Sequence, residues 1–211
     1  MTTVLIVRHG VTDYNQQGIY QGRMDVPLNQ LGEAQVAKLG SWLSGRYQID
    51  KIYSSPLLRA QATAQAIAAG QAGAEIVFDE GLQEIDVGEW EGMSAPQAKE
   101  ANPDVWNRLQ VDQLYTRRPE GESYWDLYQR VSTCLDNIVS KHSGETLCVT
   151  SHGGCVRVML AHVMGVPPTT FAFMSGLQVD NTGLTVVRHS THSGRWQVLG
   201  INSLCHLQEI K

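Results

Sequence analysis

Short β-branched runs alternate with helical stretches along most of this chain, and that alternation narrows the possible folds more than any other feature. Residues 3–7 (TVLIV) form an apolar run bounded by polar residues, the pattern of a strand buried on both faces. Asn29 can cap a helix over residues 31–44, where Leu31, Ala34, Val36, Ala37, Leu39 and Trp42 supply an apolar stripe. Residues 49–53 read as a second strand ending at Ser54-Ser55-Pro56, followed by an Ala-rich helix over 57–69 and a third strand over 74–78. The middle is less regular, with helix expected over 95–101, a turn at Asn102-Pro103 and helix again over 105–109. A long amphipathic helix over 123–141 carries Leu127, Val131, Leu135, Ile138 and Val139 at three-four spacing. Then come a strand over 146–150, a helix over 153–164, and two late strands over 184–188 and 196–201.

Strands and helices in this order predict an α/β fold with three layers: a mostly parallel central sheet with helices on both faces. With no repeat and no linker, residues 1–211 are expected to form a single domain. In such sheets the ligand crevice lies beyond the carboxyl ends of the strands. Two segments should face it: Arg8-His9-Gly10 after the first strand, and Ser151-His152-Gly153 after the strand at 146–150.

Charge limits the partners. With 16 basic and 21 acidic residues the net charge is −5, so no overall field would draw nucleic acid or an anionic membrane. A phosphate ligand would need a basic pocket set locally into an acidic surface. Cys134, Cys148, Cys155 and Cys205 show no CxxC pair and read as reduced thiols, with Cys148 and Cys155 as small core residues. The five-residue apolar run near the start is too short for a signal peptide or a membrane span, so a cytoplasmic protein is expected.

His9 by itself is ambiguous, since a histidine after a strand is often structural. Its neighbours Arg8, Gly10, Thr12 and Asn15 offer donors suited to phosphate oxygens and allow close backbone approach. His152 adds a second strand-end histidine, and the Gly153-Gly154 that follows opens a helix whose free N–H groups favour an anion. Arg59, in the first turn of the helix after Ser54-Ser55-Pro56, could complete an oxyanion cage or merely lie on a solvated helix face.

The blocks Leu5-Ile6-Val7-Arg8-His9-Gly10 with Thr12 and Asn15, Tyr20-Gln21-Gly22, Pro27-Leu28-Asn29 with Gly32 and Gln35, and Tyr53-Ser54-Ser55-Pro56-Leu57 with Arg59 continue into later ones. Those are Glu84-Ile85 with Gly88, Trp90, Glu91 and Gly92, then Glu120-Gly121-Glu122-Ser123, then Ser151-His152-Gly153-Gly154. Each alone is weak, but as an ordered set they closely resemble the histidine phosphatase superfamily, which includes the cofactor-dependent phosphoglycerate mutases. The resemblance implies that His9 is a nucleophile forming phosphohistidine through Nε2. Arg8, Arg59 and His152 would surround the transferred phosphoryl group, with the Gly153 N–H as a further donor. Glu84 would protonate the leaving alkoxide and then activate water, and Asn15 and Gln21 would contact phosphate or substrate. Such a carboxyl must hold a proton near neutrality, which partial burial or the bound phosphate's charge could supply. No metal and no cofactor are implied.

Mutases of this superfamily carry an insertion after the acidic residue, with paired arginines and a proline-rich stretch. Here Glu84 leads into a short Gly88-to-Gly92 segment, and Arg117-Arg118-Pro119 is only a faint echo. Water is therefore the expected acceptor, with the mutase as alternative. A small-molecule phosphate monoester is the expected partner: phosphoserine, α-ribazole phosphate or a sugar phosphate. The tail Asn202-Ser203-Leu204-Cys205-His206-Leu207 resembles metal-independent phosphoserine phosphatases, but Val87 stands where such an enzyme is expected to carry histidine. A catalytically weak interaction module on the same fold fits less well, because Arg8, His9, Arg59, Glu84 and His152 are all present. Relatives are often dimers, so a homodimer stays open. Asp86 and Glu89 read as surface or secondary groups, Trp90 as a pocket wall, and His142, His162, His189 and His192 as ordinary surface or loop residues; His206 is left unassigned.

Overall fold

The computed structural model describes residues 1–170 and 176–208. Six strands form one sheet: β1 (Thr2–Arg8), β2 (Lys51–Ser54), β3 (Glu75–Phe78), β4 (Thr146–Ser151), β5 (Leu184–His189) and β6 (Trp196–Ser203), in the order β3-β2-β4-β1-β5-β6. The first four run parallel, while β5 pairs antiparallel with β1, and β6 antiparallel with β5. The helices are α1 (Asp13–Gln17), α2 (Gln30–Ser44), α3 (Leu58–Ala68), α4 (Ala95–Ala101), α5 (Pro103–Val111), α6 (Tyr124–Ser140) and α7 (Gly153–Val163).

The pleat of β1 divides its apolar run between two cores. Leu5 and Val7 pack with Leu39 and Leu43 of α2, Ala64 and Ile67 of α3, Ile52 and Cys148. Val4 and Ile6 face the other way, onto Leu127, Val131 and Leu135 of α6 and Val156 and Met159 of α7. All four of those β1 side chains are fully buried, as expected of a strand covered on both faces. Cys134, Cys148 and Cys155 are buried free thiols, each pushed up to about 12 first of all by burial, whereas Cys205 is exposed. Among the described residues no helix is long and apolar enough to cross a membrane, and no group of His, Cys, Asp or Glu is arranged to hold a metal ion.

Element ends differ from the sequence pattern by a residue or two, and at α2 and α6 a side-chain cap sets the start. Asn29 Oδ1 accepts from Gly32 N at 2.9 Å, so α2 begins one residue early. At α6, Ser123 and Asp126 form a reciprocal capping box. α1 was not anticipated: its five residues carry no apolar stripe, and it is closed by a capping box between Thr12 and Asn15.

Candidate active site

The parallel strands β1 and β4 lie in register, Arg8 opposite Ser151, so the residues after them emerge together. The rings of His9 and His152 meet with centroids 5.2 Å apart. His9 Nδ1 is 2.6 Å from the Gly10 carbonyl oxygen. A carbonyl only accepts, so Nδ1 carries the proton and Nε2 is the bare nitrogen of the neutral ring. Burial, followed by the charges of Arg59 and Arg8, holds His9 well below its ordinary value and outweighs the opposing bond to Gly10. His152 is lowered for the same reasons, burial first, then Arg59, His9 and Arg8. Both imidazoles are therefore neutral at neutral pH.

Arg59 is the second residue of α3 and is fully buried, which removes the solvated-face alternative. Its Nη1 donates to Met24 O at 2.7 Å and its Nη2 to Gly22 O at 2.8 Å. Burial lowers its pKa to about 10, so it remains a cation. Arg8 donates through Nη1 to Val179 O at 2.7 Å. His152 Nε2 lies 2.8 Å from Ser55 Oγ. What remains is telling: Arg8 Nε, Arg59 Nε and His152 Nδ1 are buried with no hydrogen-bond partner among the described residues. A buried polar group left unsatisfied costs about 1–3 kcal/mol. Two cationic donors and an imidazole nitrogen, all unpaired around His9, suit an oxyanion with several oxygens.

Glu84 enters from the loop after β3. Its Oε1 accepts from Ile85 N at 2.9 Å and its Oε2 from Gly154 N at 3.1 Å. The second glycine of Ser151-His152-Gly153-Gly154 has a steric reason: a Cβ there would stand 2.5 Å from Glu84 Oε1. The two site amides each turn their oxygen inward. Asn15 Oδ1 accepts from Thr12 N and Asn181 Nδ2, both at 3.2 Å, and Gln21 Oε1 accepts from Thr12 Oγ1 at 2.9 Å. Among the described residues their NH2 groups have no hydrogen-bond partner, which leaves them for a ligand.

Arg8, His9, Asn15, Gln21, Arg59, Glu84 and Gly153 all line one cavity of about 310 Å³. His152 lies fully buried beside His9 and does not line it. Ile19, Tyr20, Arg118, Tyr124 and Arg157 also line it, and the sequence reading had assigned none of them a role there.

Several sequence expectations change. Trp90 is not a pocket wall: it is buried in the core, donates through Nε1 to Asn102 Oδ1 at 2.7 Å and stacks behind Tyr20, which does line the cavity. His142 is not an ordinary surface residue. It joins Tyr53 Oη at 2.7 Å and Glu145 Oε2 at 2.8 Å. The clamp that fixes the Glu84 loop was missed altogether. Arg130 donates through Nη1 to the carbonyls of Gly81 (3.1 Å) and Gln83 (2.9 Å), and its Nη2 pairs with Glu122 at 2.8 Å. Glu122 also accepts from Asp86 N at 3.1 Å and Arg23 Nη2 at 2.9 Å. Glu122 had appeared only as part of a motif, and Arg130 was not singled out on its amphipathic helix.

The chain as a whole is similar to known proteins. A family model of the histidine phosphatase superfamily (branch 1) matches residues 4–203. The chain is 36% identical over 210 residues to phosphoglycerate mutase-like protein 4 of Arabidopsis thaliana, covering 98% of this chain and 87% of that protein. It is 32% identical to phosphoserine phosphatase 1 of Hydrogenobacter thermophilus, over 99% of this chain and 96% of that one. A phosphoserine phosphatase mutant from Entamoeba histolytica, solved in complex with phosphoserine, superposes with a TM-score of 0.84 at 28% identity, over 99% of this chain and all of the other. The chain belongs to the histidine phosphatase superfamily, branch 1.

Proposed function

We propose that this phosphatase hydrolyses a small-molecule phosphate monoester through a phosphohistidine on His9, with Glu84 as general acid and then general base. The observation that carries the reading is the state of His9. Its ring is neutral, its Nδ1–H is tied to the Gly10 carbonyl, and its bare Nε2 stands with the unpaired Nε–H donors of Arg8 and Arg59 and the unpaired Nδ1 of His152.

In the first step Nε2 attacks phosphorus while the ester P–O bond breaks, and the Glu84 carboxyl gives its proton to the departing alkoxide. The imidazole becomes cationic as the N–P bond forms, and the Gly10 carbonyl on Nδ1–H stabilises that charge. The guanidiniums of Arg8 and Arg59 balance the three equatorial oxygens, which is the main demand of phosphoryl transfer. In the second step the Glu84 carboxylate takes a proton from water, the water oxygen attacks phosphorus, and the N–P bond breaks. His9 and the protonated Glu84 are restored, and phosphate is released.

Replacing His9 with Ala is expected to abolish phosphate release from an aryl phosphate. A base-stable, acid-labile phosphoenzyme should be trapped in the unsubstituted protein and absent from the variant. Turnover that survives in His9→Ala sinks the assignment.

A second observation bears on the substrate. Arg118 and Arg157 line the same cavity, and neither pairs with a carboxylate among the described residues. Arg118 lies over the Tyr124 ring, 4.6 Å from its centroid, and Arg157 donates to Leu177 O at 3.0 Å. An ester whose alcohol carries its own acid, as phosphoserine does, would meet these charges; α-ribazole phosphate and neutral sugar phosphates offer them hydroxyls but no opposite charge. Val87 also lines the cavity, so this wall offers apolar contact where a phosphoserine-selective enzyme is expected to carry histidine. Phosphoserine, 3-phosphoglycerate and α-ribazole phosphate assayed side by side test the reading, which fails if the uncharged alcohol is preferred. Incubating 3-phosphoglycerate with its bisphosphate primer tests the mutase alternative; inorganic phosphate as sole product excludes it.

A further inference from the structure

When β1 leaves the sheet after Arg8, the carbonyl oxygens of Arg8, His9 and Gly10 need partners, and residues 181–182 supply them from the turn that leads into β5. Thr182 N donates to Arg8 O at 3.0 Å and His9 O at 3.3 Å. Asn181 Nδ2 donates to His9 O at 3.0 Å, Gly10 O at 3.3 Å and Asn15 Oδ1 at 3.2 Å. All three of its partners are acceptors, so the position calls for a group that donates and does not accept, as the amide NH2 does. The Gly10 carbonyl that Asn181 holds is the same one that accepts from His9 Nδ1 at 2.6 Å.

The turn that presents Asn181 is unusual. Thr182 has φ +59°, in the left-handed region that a β-branched residue rarely enters. It is fastened from the far end of the chain. Thr182 Oγ1 donates its one proton to Asn181 O at 2.7 Å, so His206, 3.0 Å away, must supply an Nε2–H. His206 is buried in the short turn Cys205–Leu207. Nothing in the phosphoryl-transfer steps uses Asn181, Thr182 or His206.

We infer that Asn181 is a positioning residue for His9: it fixes the Gly10 carbonyl, and thereby the Nδ1–H tautomer of the nucleophile, and His206 holds it there through Thr182. The inference rests on His9 being the nucleophile, but its signature is read on the ring itself and does not depend on turnover.

The test compares Asn181→Ala and the isosteric Asn181→Asp, which turns acceptor oxygens toward three acceptors, with His206→Phe and His206→Gln. In the unsubstituted protein the ¹⁵N resonances of His9 should report a protonated Nδ1 and a bare Nε2. Both Asn181 variants should show a mixture of tautomers and a kcat lowered about 10- to 100-fold, with KM changed little. His206→Phe should give a weaker form of the same two changes, and His206→Gln, which keeps a donor, should reverse them. An unchanged His9 tautomer in the folded Asn181 variants overturns the inference, whatever happens to thermal stability. Should those variants fail to fold, an unchanged tautomer in His206→Phe does the same. Failure of the nucleophile reading would look different, as turnover persisting in His9→Ala.

Discussion

Replacing Gly154 with Ala tests the role of Glu84 without touching its carboxyl group. The added Cβ would stand 2.5 Å from Glu84 Oε1 and 3.3 Å from Leu127 Cδ2, whereas ordinary contact begins near 3.4 Å. Leu127 is fully buried and cannot yield easily, so the carboxylate must withdraw by roughly 0.9 Å, weakening its bond from Gly154 N. Overpacking of this kind costs about 1–3 kcal/mol of stability. A displacement near 1 Å can cost about 100-fold in rate. The loss should depend on the leaving group. An alkyl phosphate needs a proton as its alkoxide departs, so its kcat/KM should fall by about two orders of magnitude. An aryl phosphate releases a stabilised phenolate, so its kcat/KM should fall much less. Its kcat should still drop, because water must be activated against the phosphohistidine, and a burst of phenol should therefore become visible under rapid mixing. Equal losses in kcat/KM on both esters would refute the reasoning, since Gly154 would then serve the phosphoryl cage rather than the acid. No loss on either would show that Glu84 does not act from its observed position.

Acid should destabilise the folded chain earlier than its carboxylates require. Burial holds His9 and His152 well below the ordinary histidine value of 6.5 and brings His206 to about 4. Below pH 6.5 the unfolded chain binds protons that the folded chain refuses, so stability is complete above 6.5 and declines as pH falls toward 4, by up to about 1.4 kcal/mol per pH unit for each imidazole. Denaturant titrations between pH 7.5 and 5 (roughly this window) read the slope, and a flat profile would contradict the neutral-imidazole core. Arg130→Met should cost about 1–3 kcal/mol, because the carbonyls of Gly81 and Gln83 lose their donor and the Glu122 carboxylate keeps only Arg23 as a cation. Adding Glu122→Leu should recover part of that loss in a double-mutant cycle, and strict additivity would show that the two do not form a unit.

The three layers could be read from the chain because burial on two faces leaves a local mark. The run Val4–Val7 contains nothing polar, and α6 shows its buried side at three-four spacing, so each element announces what covers it. α1 leaves no such mark, since none of its five residues is buried and its cap alone defines it. The direction of β5 and β6 was also hidden, because an apolar strand has the same composition whichever way it runs. Likewise the candidate set around His9 stood out in the chain because a phosphoryl pocket asks for particular residue types. Their supports need only the right atom at the right distance, and the chain can supply that from anywhere. Arg130 reaches carbonyls 46 to 49 positions before it, and Asn181 reaches His9 from 172 positions away. Trp90 shows the converse: it sits inside a motif, yet an Asn102 carbonyl and the Tyr20 ring decide that it is core. Residues proposed to touch the phosphoryl group are thus constrained by chemistry and can be singled out from sequence. Those that hold them are constrained only by geometry, and only the folded chain brings Asn181 to the Gly10 carbonyl on which the tautomer of His9 depends.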